Sequence, residues 1–360
     1  MKLLKLFFLL SIFFYCNACF AKICVLSSTN YKMFGSVIRA QDFTNGIKLA
    51  FQDAKFHDDR FFQANNYIQL ASQVNKMTSG SCSLVLGLYT SRDCLIAGPI
   101  LKKHKIIGVS PSCGDDSENQ YLHYIYTATP PLSTPIYKIA KYLNNDKHTG
   151  KVVVIYQLTD FYSLTAMKQL KSRLSKPFIK IPVTFSGSFD IKKLSFAKSN
   201  PATLVFLTYP LPSVNIITTL FRHHLINNNV AIIGSPSWAF DVSAFKNIRK
   251  MLRKAKSVMV TSMVDWSKIE ESEFSKNYIR RFHRKPFVLD VVTYDVTRLA
   301  IKCYRIALVK KEFKPNLFRH CMTQKTYHGI SGSYIFSKSS VFAKKNLYMV
   351  SLFSLLDEIQ

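Results

Sequence analysis

The stretch Ser83–Gly114, SLVLGLYTSRDCLIAGPILKKHKIIGVSPSCG, decides the fold of this chain. Its two short apolar runs, Ser83–Leu86 and Ile106–Val109, are typical of strands buried on both faces of a parallel sheet. The residues between them, from Cys94 to Ile107, are enough for one crossover helix. The stretch therefore predicts a strand–helix–strand unit of an α/β fold.

Two turns rich in hydroxyl groups, Tyr89–Arg92 and Ser110–Asp115, follow these two strands. The carboxyl ends of neighbouring parallel strands meet at one edge of the sheet, where open α/β sheets bind their ligands. We therefore expect a binding site at this edge. Its candidate residues are Tyr89, Thr90, Ser91, Ser112, Cys113 and Gly114.

Strands and helices alternate along the rest of the chain in two consecutive series, and 360 residues suggest two globular units. A late pair, Tyr334–Phe336 and Leu347–Leu352, is predicted to close the fold as two paired strands. The other predicted strands are Ile23–Leu26, Lys151–Tyr156, Ile179–Phe185, Thr203–Leu207, Ala231–Gly234 and Ser257–Ser262. The predicted helices are Ala40–Ala54, Asn66–Met77, Pro135–Leu143, Ser163–Leu174, Val214–Leu225, Phe274–Phe282 and Val291–Val309.

The first 21 residues have the pattern of a secretory signal peptide. Lys2 and Lys5 precede the apolar run Leu6–Tyr15, and small residues end at Ala21, where we expect cleavage. The run is too short for a membrane span, and a lipid anchor at Cys19 is the alternative. We expect an exported, periplasmic protein.

Six cysteines remain after this cleavage, and an even number in an exported chain favours disulfides. In a sheet of order 2-1-3-4-5, the strands that begin near Cys24 and Cys82 are neighbours. Cys94 and Cys113 follow adjacent strands, and Cys303 and Cys321 lie on consecutive helices. We predict the pairs Cys24–Cys82, Cys94–Cys113 and Cys303–Cys321, with buried free thiols as the alternative.

The formal net charge is +28 at pH 7, and removal of Lys2 and Lys5 leaves +26. Such a charge is typical of proteins with anionic partners, which include nucleic acid, anionic lipid, envelope polyanions and acidic ligands. Export argues against nucleic acid. Lys246–Lys256 (KNIRKMLRKAK) is the strongest basic segment, predicted as one helical stripe that either meets an anionic envelope component or is a solvated outer face.

Several short motifs together resemble a known family. They are Gly46–Ala50 with Asp53-Ala54, Gly87 with Thr90-Ser91, Ile107–Ser110, Tyr126-Thr127, Lys151–Tyr156 with Tyr162, Tyr294-Asp295, and Gly329–Gly332 with Phe336. From about Phe34 to Leu356 the chain resembles the type I periplasmic solute-binding proteins, above all the branched-chain amino-acid group and the related receptor ligand-binding regions.

The resemblance implies two Rossmann-like lobes, each a parallel sheet flanked by helices, joined by a three-strand hinge. Residues 1–21 would be the signal peptide, residues 22–127 plus 266–327 lobe one, and residues 128–265 plus 328–360 lobe two. It also implies a small ligand (an amino acid, an amide or a small carboxylate) held between the lobes and delivered to the membrane permease of an ABC importer.

Each candidate binding residue also has a purely structural interpretation. Ser91 aligns with a hydroxyl that holds the ligand carboxylate in the family, although Thr90 or Ser91 can serve only as a helix N-cap. Tyr162, Tyr209 and Trp238 can cover a ligand from lobe two or simply pack within that lobe.

The turn Gly234–Trp238 departs from the amino-acid binders, which place a carboxylate there to pair with the ligand ammonium group. The nearest acid after it is Asp241, and Gly114 stands where the family often has a hydroxyl. A buried ammonium group without a partner is costly. These departures disfavour a standard amino-acid ligand, unless Asp115 and Asp116 of lobe one supply the missing charge; the alternative is that both act only as caps or are solvated.

Catalysis, a metal and a cofactor are not expected. The sequence has no GxSxG, HExxH, GxGxxG or Walker motif, and the adjacent pair His223-His224 is poorly spaced for a metal. The alternative function is an envelope interaction or sensory module of the same fold with a degenerate pocket.

Overall fold

A computed structural model of the chain describes residues 22–28, 44–80, 82–145, 150–184, 187–266 and 269–357. The predicted signal peptide and the start of the predicted helix Ala40–Ala54 lie outside these residues. Among the described helices, none is both long and apolar enough to cross a membrane.

The first lobe is built on a sheet that contains the stretch Ser83–Gly114. Five parallel strands stand in the order β2-β1-β3-β4-β5, which confirms the predicted order 2-1-3-4-5. Every residue of β4 is buried, as its apolar sequence predicted. The five strands are β1 (Lys22–Ser28), β2 (Asp59–Ala64), β3 (Cys82–Leu86), β4 (Ile107–Ser110) and β5 (Ile125–Thr127).

The second lobe repeats this order. Its sheet runs β7-β6-β8-β9-β10, and one more strand, β16, pairs antiparallel with β10. All six residues of β8 are buried. The strands are β6 (Lys151–Gln157), β7 (Phe178–Val183), β8 (Ala202–Leu207), β9 (Val230–Ile233), β10 (Ser257–Ser262) and β16 (Tyr348–Ser351). The fold is thus α/β with two parallel-dominated sheets flanked by helices.

Helices connect the strands of each sheet. In the first lobe these are α1 (Asn45–Asp53), α2 (Tyr67–Ser79) and α3 (Ser91–His104), and the later helices α9 (Glu273–Phe282), α10 (Val288–Ala307) and α11 (Pro315–Gln324) follow in the chain. The long helix α10 packs on α1, α11 and β4, so it belongs to the first lobe. The second-lobe helices are α4 (Ser133–Asn145), α5 (Phe161–Lys171), α6 (Pro210–Arg222), α7 (Pro236–Phe240), α8 (Arg249–Leu252) and α12 (Leu352–Asp357).

Side-chain caps fix where three of these helices begin. Asn66, Thr90 and Asp160 each accept a hydrogen bond from a backbone N–H in the first turn of α2, α3 and α5. Thr90 and Asp93 form a reciprocal capping box, so the N-cap interpretation of Thr90 is confirmed. Thr90 and Asp160 follow β3 and β6, so α3 and α5 begin at the carboxyl edges of the two sheets.

The end of the chain differs from the prediction. β13 (Tyr327–Gly329), β14 (Gly332–Ser337) and β15 (Ser340–Lys344) extend the first sheet, where Phe342 pairs with Thr127 of β5. Residues 328–344, which were expected in lobe two, therefore extend the first sheet, and the predicted pairing of Tyr334–Phe336 with Leu347–Leu352 is wrong.

The buried Asp295 carboxylate of α10 explains this placement. It accepts hydrogen bonds from the backbone N–H groups of Ile330 and Ser331, at 2.7 and 2.8 Å, and from the Ser331 hydroxyl. The Tyr334 hydroxyl donates a fourth, longer hydrogen bond to the same carboxylate, at 3.2 Å. The network ties the β13–β14 turn to the first lobe.

All three predicted disulfides are present, and the alternative of free thiols is wrong. Cα–Cα distances are 5.7 Å for Cys24–Cys82, 6.4 Å for Cys94–Cys113 and 5.4 Å for Cys303–Cys321, within the usual range. All three lie in the first lobe.

The basic segment Lys246–Lys256 is not the single helical stripe that its spacing predicted. A 3₁₀ helix ends at Ile248, α8 covers only Arg249–Leu252, and a turn follows. Arg249 is bound to Asp357 of α12, so it holds the end of the described chain in place. The cations of this segment therefore do not form one continuous face.

Candidate functional site

A cavity of about 70 Å³ lies between the lobes, lined by residues that follow strands of both sheets. The first lobe contributes Tyr89, Thr90, Ser91, Ser112 and Gly114, and the connecting segments contribute Thr129, Pro130, Leu132, Met263 and Leu347. The second lobe contributes Pro135, Tyr162, Tyr209, Pro236, Ser237, Ala239, Phe240 and Thr261. Seven of the nine predicted ligand-binding residues thus meet at one cavity.

Hydrogen bonds between the two first-lobe turns form one wall of the cavity. The Ser110 hydroxyl donates to the Leu88 carbonyl at 2.6 Å and accepts from the Cys113 N–H at 2.9 Å. The Ser112 hydroxyl donates to the Tyr89 carbonyl at 2.5 Å. The disulfide between Cys94 and Cys113 fixes the same two segments covalently. This wall is preorganised because its turns hold each other in place.

Ser91 also belongs to this network. Its Oγ accepts hydrogen bonds from the backbone N–H groups of Gly114 and Asp115, at 3.0 and 3.1 Å. The hydroxyl predicted to hold a ligand carboxylate therefore joins the two turns. The capping box engages the N–H groups of Thr90 and Asp93, so the polar groups that α3 can offer a ligand are the N–H groups of its first residues.

Glu118 is a fully buried carboxyl behind this wall. Burial raises its pKa well above the usual value, against the opposing effect of hydrogen bonds from the Asp115 N–H and the Ser91 hydroxyl. Glu118 is not among the candidate residues predicted from the sequence, although the spacing Asp115-x-x-Glu118 is a capping-box signal, and both halves of that box are formed. Asp115 is thus a buried cap, as one interpretation of the sequence held.

Two stacked tyrosines form the opposite wall. The ring centroids of Tyr162 and Tyr209 lie 5.1 Å apart at an interplanar angle of 27°. The Tyr162 hydroxyl lies beside Ser235 and Ser237, and burial raises its pKa. The second lobe thus presents an aromatic surface with hydroxyl groups at its edge.

Trp238 and Cys113 are the two predicted site residues that do not line the cavity. The Trp238 ring is fully buried within the second lobe, 4.4 Å from the Phe245 ring and 5.3 Å from that of Phe206. Its Nε1–H donates to the Ser213 hydroxyl at 3.0 Å. Cys113 is fully buried in its disulfide. Both residues support the walls from behind, because packing and covalent constraints point their side chains away from the cavity.

None of the described residues that line the cavity carries a charge. Charged groups lie at its margin instead. Arg92 of the first lobe stacks on Tyr67 with its guanidinium carbon 4.0 Å from the ring centroid. Asp160 of the second lobe has its pKa raised to about 6 by burial, while the Ser163 N–H and the charge of Arg92 act in the opposite direction.

A direct polar contact joins the lobes beside the cavity. The Asp116 carboxylate of the first lobe accepts hydrogen bonds from the Gln169 side chain of α5, at 2.7 Å, and from the Ser133 hydroxyl at the start of α4, also at 2.7 Å. Asp116 is therefore an inter-lobe contact, neither a ligand for an ammonium group nor a simple cap. The two lobes are thus in direct contact beside the cavity.

Comparison with solved structures identifies the fold as that of the type I periplasmic binding proteins. The branched-chain amino-acid binding protein LivJ of Streptococcus pneumoniae, solved with isoleucine, has a TM-score of 0.74 and 18% identity, covering 91% of this chain and 95% of its own. The leucine-binding protein LivK of Thermotoga maritima has a TM-score of 0.73 and 16% identity, and the match covers 91% of this chain and 94% of LivK.

A third similar structure has a different kind of ligand. It is an ABC-transporter solute-binding protein of Rhodopseudomonas palustris, solved with 3,4-dihydroxybenzoic acid, with a TM-score of 0.73, 14% identity and coverage of 92% of each chain. No family model and no curated protein matches the sequence. The expected resemblance is thus confirmed at the level of the fold.

Proposed function

We propose that this chain is an exported solute-binding protein that encloses a small ligand between its lobes for an ABC importer. The observation that carries the proposal is the convergence of Tyr89–Ser91, Ser112 and Gly114 from one lobe with Tyr162 and Tyr209 from the other on one cavity. We infer cleavage after Ala21 from the sequence pattern of residues 1–21, and delivery to a membrane permease from the similarity to ABC-transporter solute-binding proteins.

The ligand we propose has a flat or apolar body and one polar end that carries no positive charge. Its body would lie against Tyr162 and Tyr209, since aromatic rings favour stacked and edge contacts. Hydroxyl groups and the first N–H groups of α3 would receive a hydroxyl or carboxylate. An ammonium group would meet no carboxylate among the described residues that line the cavity, so hydroxylated benzoates fit this wall better than amino acids.

Binding requires the cleft to open. The cavity measures about 70 Å³, which is less than half the volume of about 150 Å³ of an apolar cavity that binds benzene. A ligand of benzoate size would therefore enter between parted lobes and displace Tyr162 or Tyr209 as they close. Opening would break the hydrogen bond between Asp116 and Gln169, so this contact would favour the closed form.

We infer that the chain crosses between the lobes at three places. The first two are those expected from the sequence, near residues 127–128 and 265–266. The third we place at 345–347, between the last strand of the first sheet and β16. Leu132, Met263 and Leu347, one beside each crossing, line the cavity, which supports a hinge at its floor.

Thermal unfolding of the purified protein with single compounds tests this function. 3,4-Dihydroxybenzoate and 4-hydroxybenzoate represent the proposed class, with isoleucine and leucine as the competing class. A ligand at a hundredfold excess over its Kd should stabilise the protein by about 2.7 kcal/mol. The double variant Tyr162→Ala/Tyr209→Ala should lose the shift, whereas Tyr137→Ala, on an exposed tyrosine of the same lobe, should keep it.

The alternative, an interaction or sensory module with a degenerate pocket, is favoured by two observations. The cavity is small, and the Ser91 hydroxyl is engaged within its own lobe. Mass spectrometry of ligand released from the purified protein separates the two functions. A released small molecule supports solute binding, and its absence together with flat thermal shifts across both compound classes would favour the alternative.

A further inference from the structure

We propose that the outer end of α10 and the hairpin after it dock on a membrane surface rich in anionic phospholipid. We call this region the α10 end surface: Arg298, Lys302, Arg305 and Ile306 of the helix, with the hairpin of β11 (Leu308–Val309) and β12 (Glu312–Phe313). It lies in the first lobe, and it is independent of the solute-binding function proposed above.

Cations line a groove on this surface. Arg298, Lys302 and Arg305 are spaced four and three residues apart, which places them on one face of α10. Together with Lys55 they line an open groove of about 570 Å³. Among the described residues that line this groove, the one acid is Asp53, whose carboxylate accepts a hydrogen bond from the Tyr294 hydroxyl at 2.8 Å. The groove is thus strongly electropositive, which suits a phosphate group.

Apolar side chains are exposed beside these cations. Ile306 is 51% exposed, Leu308 38% and Val309 40%, and Ile306 also lines the groove. Three aliphatic side chains left in water contribute little to the stability of the folded chain, because little of their apolar surface is buried. A neighbouring hydrocarbon phase would remove them from water.

The turn of the hairpin carries two further cations. Val309 pairs with Glu312, so Lys310 and Lys311 alone form the turn, and both have left-handed backbones with φ of 50° and 67°. Two-residue hairpin turns of this kind favour Asn and Gly, because other side chains clash with the backbone. Two lysines there are unfavourable for folding, which indicates that their charge serves another role.

The surface is held rigidly. The Cys303–Cys321 disulfide joins α10 to α11, and the Tyr304 ring stacks on Phe313 at 5.4 Å between centroids. The Lys314 N–H donates to the Ala307 carbonyl at 2.8 Å. The backbone that carries the exposed side chains is therefore held in place, so binding has little backbone left to order.

An anionic phospholipid matches both features at once. Its phosphate suits the cationic groove and turn, and its acyl region suits Ile306, Leu308 and Val309. The strength of binding to a membrane surface increases with the buried apolar area and with the electrostatic attraction to anionic lipid, and this surface offers both. An acidic polypeptide would satisfy the cations but leave the aliphatic side chains in water, so the bilayer is the better partner.

Co-sedimentation with vesicles tests this proposal. Purified protein should bind vesicles of mixed phosphatidylglycerol and phosphatidylcholine at low salt and should not bind phosphatidylcholine alone. Lys310→Glu/Lys311→Glu should weaken partitioning by about tenfold or more. The matched control is Lys192→Glu/Lys193→Glu, an exposed lysine pair of the second lobe with the same change in charge, which should reduce it far less.

The apolar part is tested by Leu308→Ser/Val309→Ser, which should weaken binding most at high salt, where electrostatic attraction is screened. Circular dichroism of each variant checks its folding. Absence of wild-type binding, equal losses in the two lysine pairs, or full binding by both hairpin variants would overturn the proposal. Binding to polyglutamate but not to vesicles would also overturn it and would assign an acidic polypeptide as the partner.

Discussion

The two walls of the cavity are built in different ways. The first-lobe wall consists of short turns held by hydroxyl–backbone hydrogen bonds and by the Cys94–Cys113 disulfide. The second-lobe wall consists of the stacked Tyr162 and Tyr209, and Trp238 supports that lobe from its core. One wall is thus fixed before a ligand arrives, whereas the other depends on packing that can rearrange. We expect the first to orient the ligand and the second to adapt to its shape.

The largest effect should come from removing the support of the second wall. Trp238→Ala should lower the free energy of unfolding by about 3–5 kcal/mol, because a fully buried ring is lost and a cavity remains. Urea denaturation measures this change. Trp266→Ala, at the partly buried second tryptophan of the chain, is the control and should cost less. A larger loss at Trp266 would contradict the assignment of Trp238 to the core.

Removing the covalent link of the first wall should cost slightly less. Cys94→Ser/Cys113→Ser opens a loop with a sequence separation of 19 residues, for which about 3 kcal/mol is expected. Cys303→Ser/Cys321→Ser removes a link of 18 residues away from the cavity and should cost about the same. Ligand titration should separate them, since only the first pair should weaken binding. Equal affinities would show that the first wall needs no covalent constraint.

Asp160 allows the margin between the walls to be tested by pH. Its folded pKa, about 6, lies above the ordinary value of 3.8, so the folded state binds the proton more tightly than the unfolded state. This contribution to stability is complete below the unfolded pKa and is lost as the pH rises through about 6. Asp160→Asn should therefore be more stable than wild type by about 1–3 kcal/mol near pH 8, with little difference near pH 4.

Melting temperatures across this pH range provide the measurement. Asp190→Asn, in an exposed cap of the same lobe, controls for the exchange of a capping carboxylate for an amide. A gain at Asp160 that is independent of pH would contradict the role assigned to burial.

The smallest effect on stability is expected from adding a polar group to the first-lobe wall at Gly114. A Cβ at Gly114 would find its nearest neighbours, the Thr129 hydroxyl and the Pro130 carbonyl, at 3.8 Å. Gly114→Ser should therefore change stability by less than about 0.5 kcal/mol and tighten carboxylate binding by about tenfold. Gly98→Ser is the contrast, since its Cβ would lie 2.5 Å from the Tyr121 ring. Unchanged affinity in Gly114→Ser would place the ligand carboxylate elsewhere.

The sequence predicted the elements that depend on local patterns. Apolar runs located β3, β4 and β8, and the strand order then paired the cysteines correctly. It could not decide which side chains face the cavity, because Trp238 and Tyr209 follow neighbouring strands in similar turns. The orientation of each ring depends on the residues that it contacts in the folded lobe. Trp238 packs on Phe245 and donates a hydrogen bond to Ser213, whereas Tyr209 stacks on Tyr162.

The end of the chain shows the same limit on a larger scale. Whether residues 327–344 join the first or second sheet depends on contacts of the Asp295 carboxylate, some 35 residues away in sequence. Periodicity over a few residues contains no such information. Ser91 is a related case, since its sequence allowed either a helix N-cap or a ligand-binding hydroxyl, and only the neighbouring turn shows that its Oγ accepts hydrogen bonds from Gly114 and Asp115.

The position of Leu347 suggests how binding in the cavity would be coupled to movement of the lobes. It stands in the short connector between β15 and β16, its side chain touches the cavity, and its carbonyl accepts a hydrogen bond from Lys138. A bound ligand would contact directly a segment that we propose as part of the hinge between the lobes. Sensing and movement would then share one residue, and no relay through either sheet would be required.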